Sequence, residues 1–210
     1  MKIKVCGLTN TENAVAVVAL PINYYGMIFY PKSPRNVDRN SAIRVSKAVK
    51  PNRNGVGVFV NAPIDKILSA IADIALTTIQ LHGDESPEQC QELKLSGLTV
   101  IKAFRINDSF NFETVNRYEP YCNYFLLDTA GKIQGGTGSK FDWEILNKYT
   151  GKVPFFLSGG IGPEDAHALK QIRHPGFYGI DLNSRFETAP GIKDIALLKQ
   201  FINELHEDGQ

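Results

Sequence analysis

Two hydrophobic patterns alternate along this chain. Short runs rich in β-branched and aromatic residues are followed by longer stretches in which apolar side chains recur every three or four positions. The short runs are IKVC (3–6), YYGMIF (24–29), GVGVFV (55–60), TTIQLH (77–82), TVIKAF (99–104), YFLLD (124–128), PFFLSG (154–159) and GFYGIDL (176–182). The longer stretches predict helices over 12–20, 41–50, 63–73, 86–96, 141–149, 163–172 and 192–207, with a weaker pattern in NFETVNRYEP after the fifth run. Ser86-Pro87-Glu88 and Gly162-Pro163-Glu164-Asp165 carry the punctuation of helix starts: a cap, a first-turn proline and an acid. Strands alternating with helices argue for βα units around a parallel sheet. Eight such units without a low-complexity linker predict an α/β fold, a single-domain (β/α)8 TIM barrel over residues 1–210. An open doubly wound sheet fits less well, since neither G-x-G-x-x-G nor a Walker motif follows a strand.

Composition narrows the function. The chain has 210 residues and a formal net charge of +1, from 23 basic and 22 acidic residues, with no dense Lys/Arg stripe. No nucleic-acid or membrane partner is expected. The three cysteines, Cys6, Cys90 and Cys122, form no C-x-x-C pair. That argues against a zinc site or disulfide framework and for a reducing, cytoplasmic setting. Lys2 and Lys4 before the apolar stretch 14–22 imitate a signal peptide, but polar TNTEN intervenes and no cleavage pattern follows. The stretch reads as the buried face of a first helix.

In a barrel of this kind, strand C-terminal ends and the loops after them build the site. Cys6, His82, Asp128, Ser158 and Asp181 all fall at or near those ends. A free cysteine often only fills a core, yet here a thiol, an imidazole and carboxylates converge on one mouth. Gly159 and Gly160 after the seventh strand precede a helix start, and Asn183 and Ser184 follow the eighth. Backbone N–H groups freed by glycine, a helix N-terminus and these polar side chains predict a phosphate site. The cluster GGTGS (135–139) reads as a mobile cover over the mouth.

KVCGLT, IFYPKSPR, VGVFVN, QLHGDE, IKAF, LLD, GGTGSKFDW, LSGGI and DLNSRFE before PGIKD, in this order, resemble the phosphoribosylanthranilate isomerase family of tryptophan biosynthesis. The resemblance implies an Amadori rearrangement of N-(5-phosphoribosyl)anthranilate to 1-(2-carboxyphenylamino)-1-deoxyribulose 5-phosphate, without metal or organic cofactor. It implies a small-molecule phosphosugar substrate and a monomer or homodimer. Carried over by position, it makes Cys6 the general base and Asp128 the general acid. It places Arg35 on the anthranilate carboxylate and His82 and Asp181 in the substrate site. The base would need a thiol pKa near working pH, below the free value of roughly 8.5. Asn10 and Asn13 depart from the acids common in relatives, and PINYYGMIF from the usual lead into the second strand, without touching a catalytic position. Trp143 is expected to pack in the core.

Two other readings compete. A histidine-pathway or dual-substrate aldose isomerase would share the barrel, but would carry aspartate where Cys6 ends the first strand and a phosphate motif in each half. A non-catalytic phosphosugar-binding barrel would have lost the base or the acid, and both stand here.

Overall fold

The computed structural model describes residues 1–49, 54–74, 76–129 and 143–207. Eight strands, β1 (Lys2–Val5), β2 (Tyr24–Ile28), β3 (Asn54–Phe59), β4 (Thr78–Leu81), β5 (Thr99–Arg105), β6 (Tyr124–Asp128), β7 (Phe155–Ser158) and β8 (Phe177–Leu182), close a parallel barrel in chain order. β8 returns to β1 with Lys4 opposite Asp181 and Val5 opposite Leu182. Every predicted strand is present, within about two residues of its expected ends.

The helices are α1 (Thr11–Val18), α2 (Arg39–Ala48), α3 (Ile64–Ile71), α4 (Pro87–Leu95), α5 (Glu113–Asn116), α6 (Ala166–Gln171) and α7 (Ile195–His206). Local chemistry sets several starts. The Asp38 carboxylate accepts the Ser41 N–H at 2.9 Å, and Ser86 and Gln89 cap each other's backbone N–H groups at 3.3 and 2.9 Å. Such caps contribute about 1 kcal/mol each. In α7, Leu198, Phe201, Ile202 and Leu205 are buried, a spacing that lines one helical face.

Four predicted helices differ, one of them at Pro163 beside the site. Residues 192–193 belong to a hairpin, not to the last helix: β9 (Glu187–Ala189) turns at Pro190-Gly191 into β10 (Ile192–Lys193), and α7 begins only after Asp194, whose carboxylate caps the Leu197 N–H at 3.0 Å. The weak pattern after β5 divides into α5 and a 3-10 turn, Glu119–Tyr121, because Pro120 has no N–H with which to continue an α-helix. Of the stretch predicted over 141–149, residues 141–142 lie outside the described residues and Trp143–Lys148 form a 3-10 helix. There the Tyr149 hydroxyl donates to the Val153 carbonyl at 2.7 Å and turns the chain back toward β7. Trp143 packs on the core as expected.

The barrel interior is layered. At the strand N-terminal end Tyr24, Tyr124 and Tyr178 crowd Phe156 edge-on, with the Tyr24 and Tyr178 hydroxyls 2.9 Å apart. Val56, Val58, Ile101, Ala103 and Leu126 fill the interior around them, and Cys6 joins the same cluster. Lys4 and Gln80, both polar, are fully buried at interior positions of β1 and β4. The residue two places on from each, Cys6 and His82, shares its face and reaches the strand C-terminal end.

Candidate active site

Cys6, His82, Asp128, Gly159, Gly160, Asp181, Asn183 and Ser184 line one cavity of about 170 Å³ at the strand C-terminal ends. The thiol lies over β2, where a Cβ on Gly26 would come within 2.7 Å of its sulfur, so a bare backbone there makes room for it. Gly7, directly after, has φ +83°, which turns the chain out of the barrel in a conformation that favours glycine. A larger depression, about 320 Å³, lies beside Phe110, Glu113 and Lys148, and gathers no buried titratable group.

A buried ion pair stands behind the thiol. Lys4 Nζ is 2.8 Å from Asp181 Oδ2, with side chains 0% and 5% exposed. Burial works against the Lys4 ammonium, but Asp181 and Cys6 outweigh it and hold its pKa above the ordinary lysine value. Burial pushes the Asp181 carboxyl up against the opposing pull of Lys4. Burial also pushes the Cys6 thiol up, with Lys4 and Lys193 pulling the other way and Asp181 adding to the rise. Enclosure thus works against the lowered pKa that a thiolate base would need: the desolvation of the buried sulfur exceeds the help from two nearby ammonium groups.

Replacing Lys4 with Met would leave Asp181 buried and unpaired. Breaking such pairs costs about 3–5 kcal/mol. Urea denaturation of Lys4→Met is expected to show that loss near neutral pH. Without Lys4 the folded-state pKa of Asp181 rises further above its unfolded value, so neutralising the carboxyl relieves the penalty. The deficit against wild type should therefore shrink as pH falls through that raised pKa. A deficit independent of pH would show that Lys4 acts by packing alone.

On the opposite side His82 Nε2 is 3.0 Å from Asp128 Oδ2, and Gln80 Nε2 is 2.8 Å from His82 Nδ1. The loop bearing His82 is fixed from behind. Lys102 Nζ donates to the Leu81, Gly83 and Ala103 carbonyls and pairs with Glu85 at 3.2 Å, while Glu85 accepts the Asn61 and Gly83 N–H groups at 2.8 and 2.9 Å.

Arg35 does not line the cavity with the other predicted residues. It sits against Gly7, whose added Cβ would fall 2.9 Å from Arg35 Cδ, and β9 holds it there. Glu187 takes the Arg35 Nε–H at 2.9 Å and Nη2–H at 2.6 Å, and also receives Lys193 Nζ at 2.7 Å. Burial opposes this carboxylate, but Arg35 and Lys193 together keep its pKa below the usual range. Lys193 Nζ also donates to Asn183 Oδ1 at 2.7 Å, so that side chain is already engaged.

For the anion site, Gly159 and Gly160 have φ +100° and +67° and border the cavity. The helix expected to open at Pro163 is one 3-10 turn, Pro163–Asp165, followed by the six-residue α6. Its dipole is correspondingly short, which shifts the weight of any anion binding to the glycine N–H groups and the 183–184 turn. The cluster 135–139 lies outside the described residues. Among the described residues no group of three or more His, Cys, Asp or Glu side chains could hold a metal ion, and no helix is long and apolar enough to cross a membrane.

Comparison with known proteins decides among the barrels this site could serve. The family model for N-(5'-phosphoribosyl)anthranilate isomerase matches residues 3–204. The chain belongs to the phosphoribosylanthranilate isomerase family. It is 47% identical over 208 residues to the N-(5'-phosphoribosyl)anthranilate isomerase of Parabacteroides distasonis, covering 98% of this chain and 93% of that one. With the isomerase of Phocaeicola vulgatus it shares 44% over 207 residues, covering 99% and 98%. The solved phosphoribosyl anthranilate isomerase of Thermotoga maritima superposes with a TM-score of 0.85 at 33% identity, covering 98% of both chains. A phosphoribosyl anthranilate isomerase solved with reduced 1-(o-carboxyphenylamino)-1-deoxyribulose 5-phosphate gives 0.83 at 31%, again covering 98% of both. Phosphoribosylanthranilate isomerases are enzymes of tryptophan biosynthesis, and the eight-stranded barrel is the fold these structures share with this chain.

Lys4, Gln80, Glu85, Lys102, Glu187 and Lys193 escaped the sequence reading. For Lys4 and Gln80 a signal existed: each is a polar residue inside an apolar strand, two positions before a candidate site residue.

Proposed function

We propose that this chain converts N-(5-phosphoribosyl)anthranilate to 1-(2-carboxyphenylamino)-1-deoxyribulose 5-phosphate by general acid–base catalysis without a cofactor. The observation that carries this reading is a thiol at the end of β1 and a carboxyl at the end of β6 facing one cavity bordered by Gly159 and Gly160. Asp128, protonated, gives its proton to the ribose ring oxygen as the bond from that oxygen to C1′ breaks. The anilino nitrogen supplies the electron pair, and a protonated Schiff base results. That cation acidifies the C2′ proton, which Cys6 removes as thiolate to leave an enolamine. Loss of the O2′ proton and gain of one at C1′ give the ketone, so the proton count closes. The phosphate rests on the Gly159 and Gly160 N–H groups and the Asn183–Ser184 turn, with His82 and Asp181 against the sugar. Three buried free cysteines suit the reducing cytoplasm.

Arg35 takes the anthranilate carboxylate. Glu187 occupies the Nε side of the guanidinium and leaves the Nη1–Nη2 end for a second carboxylate in two-point geometry. Arg35→Met is expected to weaken binding of the reduced product by about tenfold or more, the worth of one charged hydrogen bond. Isothermal titration reads this directly, and unchanged affinity would remove Arg35 from the carboxylate site. The reading as a whole is tested by adding purified protein to phosphoribosylanthranilate and following its fluorescence. Disappearance of the signal with formation of the ketose phosphate is expected; a persistent signal overturns it.

A further inference from the structure

We infer that Gln80 is a positioning residue that fixes the His82 tautomer, and through it the side of Asp128 from which a proton is delivered. The inference deepens the assignment of Asp128 as general acid. Gln80 is buried at an interior position of β4, two residues before His82, so both side chains share the face that looks into the cavity. Its Nε2 lies 2.8 Å from His82 Nδ1. An amide nitrogen only donates, so Nδ1 must accept and the ring proton must sit on Nε2. From there, 3.0 Å from Asp128 Oδ2, it can only be given to that oxygen.

The orientation of the amide is not neutral. Gln80 Oε1 is buried and, among the described residues, has no hydrogen-bond partner. Turning the amide round would let Oε1 accept from an Nδ1–H, but would bury the two N–H groups where the oxygen now stands. A bare carbonyl oxygen is the more tolerable of the two. The ring is therefore held as a donor toward Asp128, and Nε2 offers no lone pair with which to draw off the carboxyl proton. With Oδ2 accepting from the ring, the transferable proton is carried on Oδ1.

Other charged groups surround the pair. Lys4 and Cys6 approach from β1, and Asp181 from β8 feels His82. Arg105 stands beside Asp128 in the register of β5 and β6, Arg185 borders the cavity, and Lys102 with Glu85 backs the loop. Among the described residues the contact to Nδ1 comes from Gln80.

Nitrogen-15 NMR of imidazole-labelled protein, without substrate, reads the tautomer. Wild type is expected to show His82 protonated at Nε2 and bare at Nδ1 in its neutral form. Gln80→Glu, read at a pH where the new carboxyl is ionised and presents only acceptors, should move the proton to Nδ1, and Gln80→Met should give a mixture of both tautomers. In parallel, Gln80→Glu should lower kcat at least tenfold while product-analogue affinity stays within a few-fold, and its pH profile of kcat/KM should shift. An Nδ1-protonated wild-type ring overturns the inference, and this needs no variant to fold. So does a Gln80→Glu protein with the wild-type tautomer, or one whose pH profile superimposes on wild type. If wild type fails to turn over phosphoribosylanthranilate, the reading of the reaction falls, whereas the tautomer measurement still decides the role of Gln80.

Discussion

Cys6→Ala is expected to lower kcat by at least ~10²-fold with little change in KM, because a positioned general base contributes ~10²–10⁴-fold and the lost atom makes few binding contacts. The structure sharpens this into a pH experiment. On the proposed mechanism activity needs Cys6 deprotonated and Asp128 protonated, so kcat/KM should be bell-shaped whichever group has the lower pKa. Burial raises the thiol above its ordinary value, with Lys4 and Lys193 only partly opposing it. The thiol should then own the upper of the two inflections, and the active form is a minority of the free enzyme. Serine does not titrate in this range. Cys6→Ser should therefore lose the rising limb and show a single fall in its residual activity, inflecting at the lower wild-type value. A single fall at the upper value would make the thiol the group of lower pKa. Unchanged turnover in a folded Cys6→Ala protein would return Cys6 to the packing role its cluster with Val56 and Ala103 also provides.

Asp128→Asn should keep the fold and the affinity for the reduced product, yet lose at least ~10²-fold in turnover, because an amide has no carboxylic proton to give. Asn offers an oxygen to the His82 Nε2–H as the carboxylate does, so the ring should stay in place. The two groups at each end of the reaction interact with neighbours, and apparent pKa values belong to those sets rather than to one residue. Each assignment thus needs its own variant. Wild-type turnover in Asp128→Asn would sink the acid, and with it the proposed proton path.

The barrel was legible because its signals are local. β-branched runs and helical spacing declare themselves within a dozen residues, and side chains at strand ends follow from topology. The hairpin β9–β10 was missed because Ile192 and Lys193 continue the apolar spacing of α7, and only Asp194 as cap divides them. Partners of the site residues were hidden for a different reason. Glu187 meets Arg35 across 152 positions, and Lys4 meets Asp181 across 177, so neither pairing has a spacing to read. The raised thiol was hidden likewise, since enclosure of Cys6 depends on what seven other strands place around it. The neighbourhood of Asp128 was partly visible: Gln80 and His82 share a face by simple alternation, but which atom donates to which required the geometry.

The bonds that join the two ends of the chain have a consequence for the order of folding. Thr9 Oγ1 donates to the Gly191 carbonyl, Asn13 exchanges two hydrogen bonds with the backbone of Lys193, and Lys4 pairs with Asp181, at separations of 182, 180 and 177 residues. Contacts so distant in sequence are made only after the loop-closure entropy of nearly the whole chain has been overcome. On the ribosome, the thiol strand is made before β8 and must wait, unpaired along the edge that β8 will cover, until residue 182 has left the tunnel. The ion pair behind Cys6 and the carboxylate that aims Arg35 are therefore assembled by the same late event that seals the barrel, so a chain stopped short of β8 would carry Cys6, Asp128 and Arg35 without ever having the site.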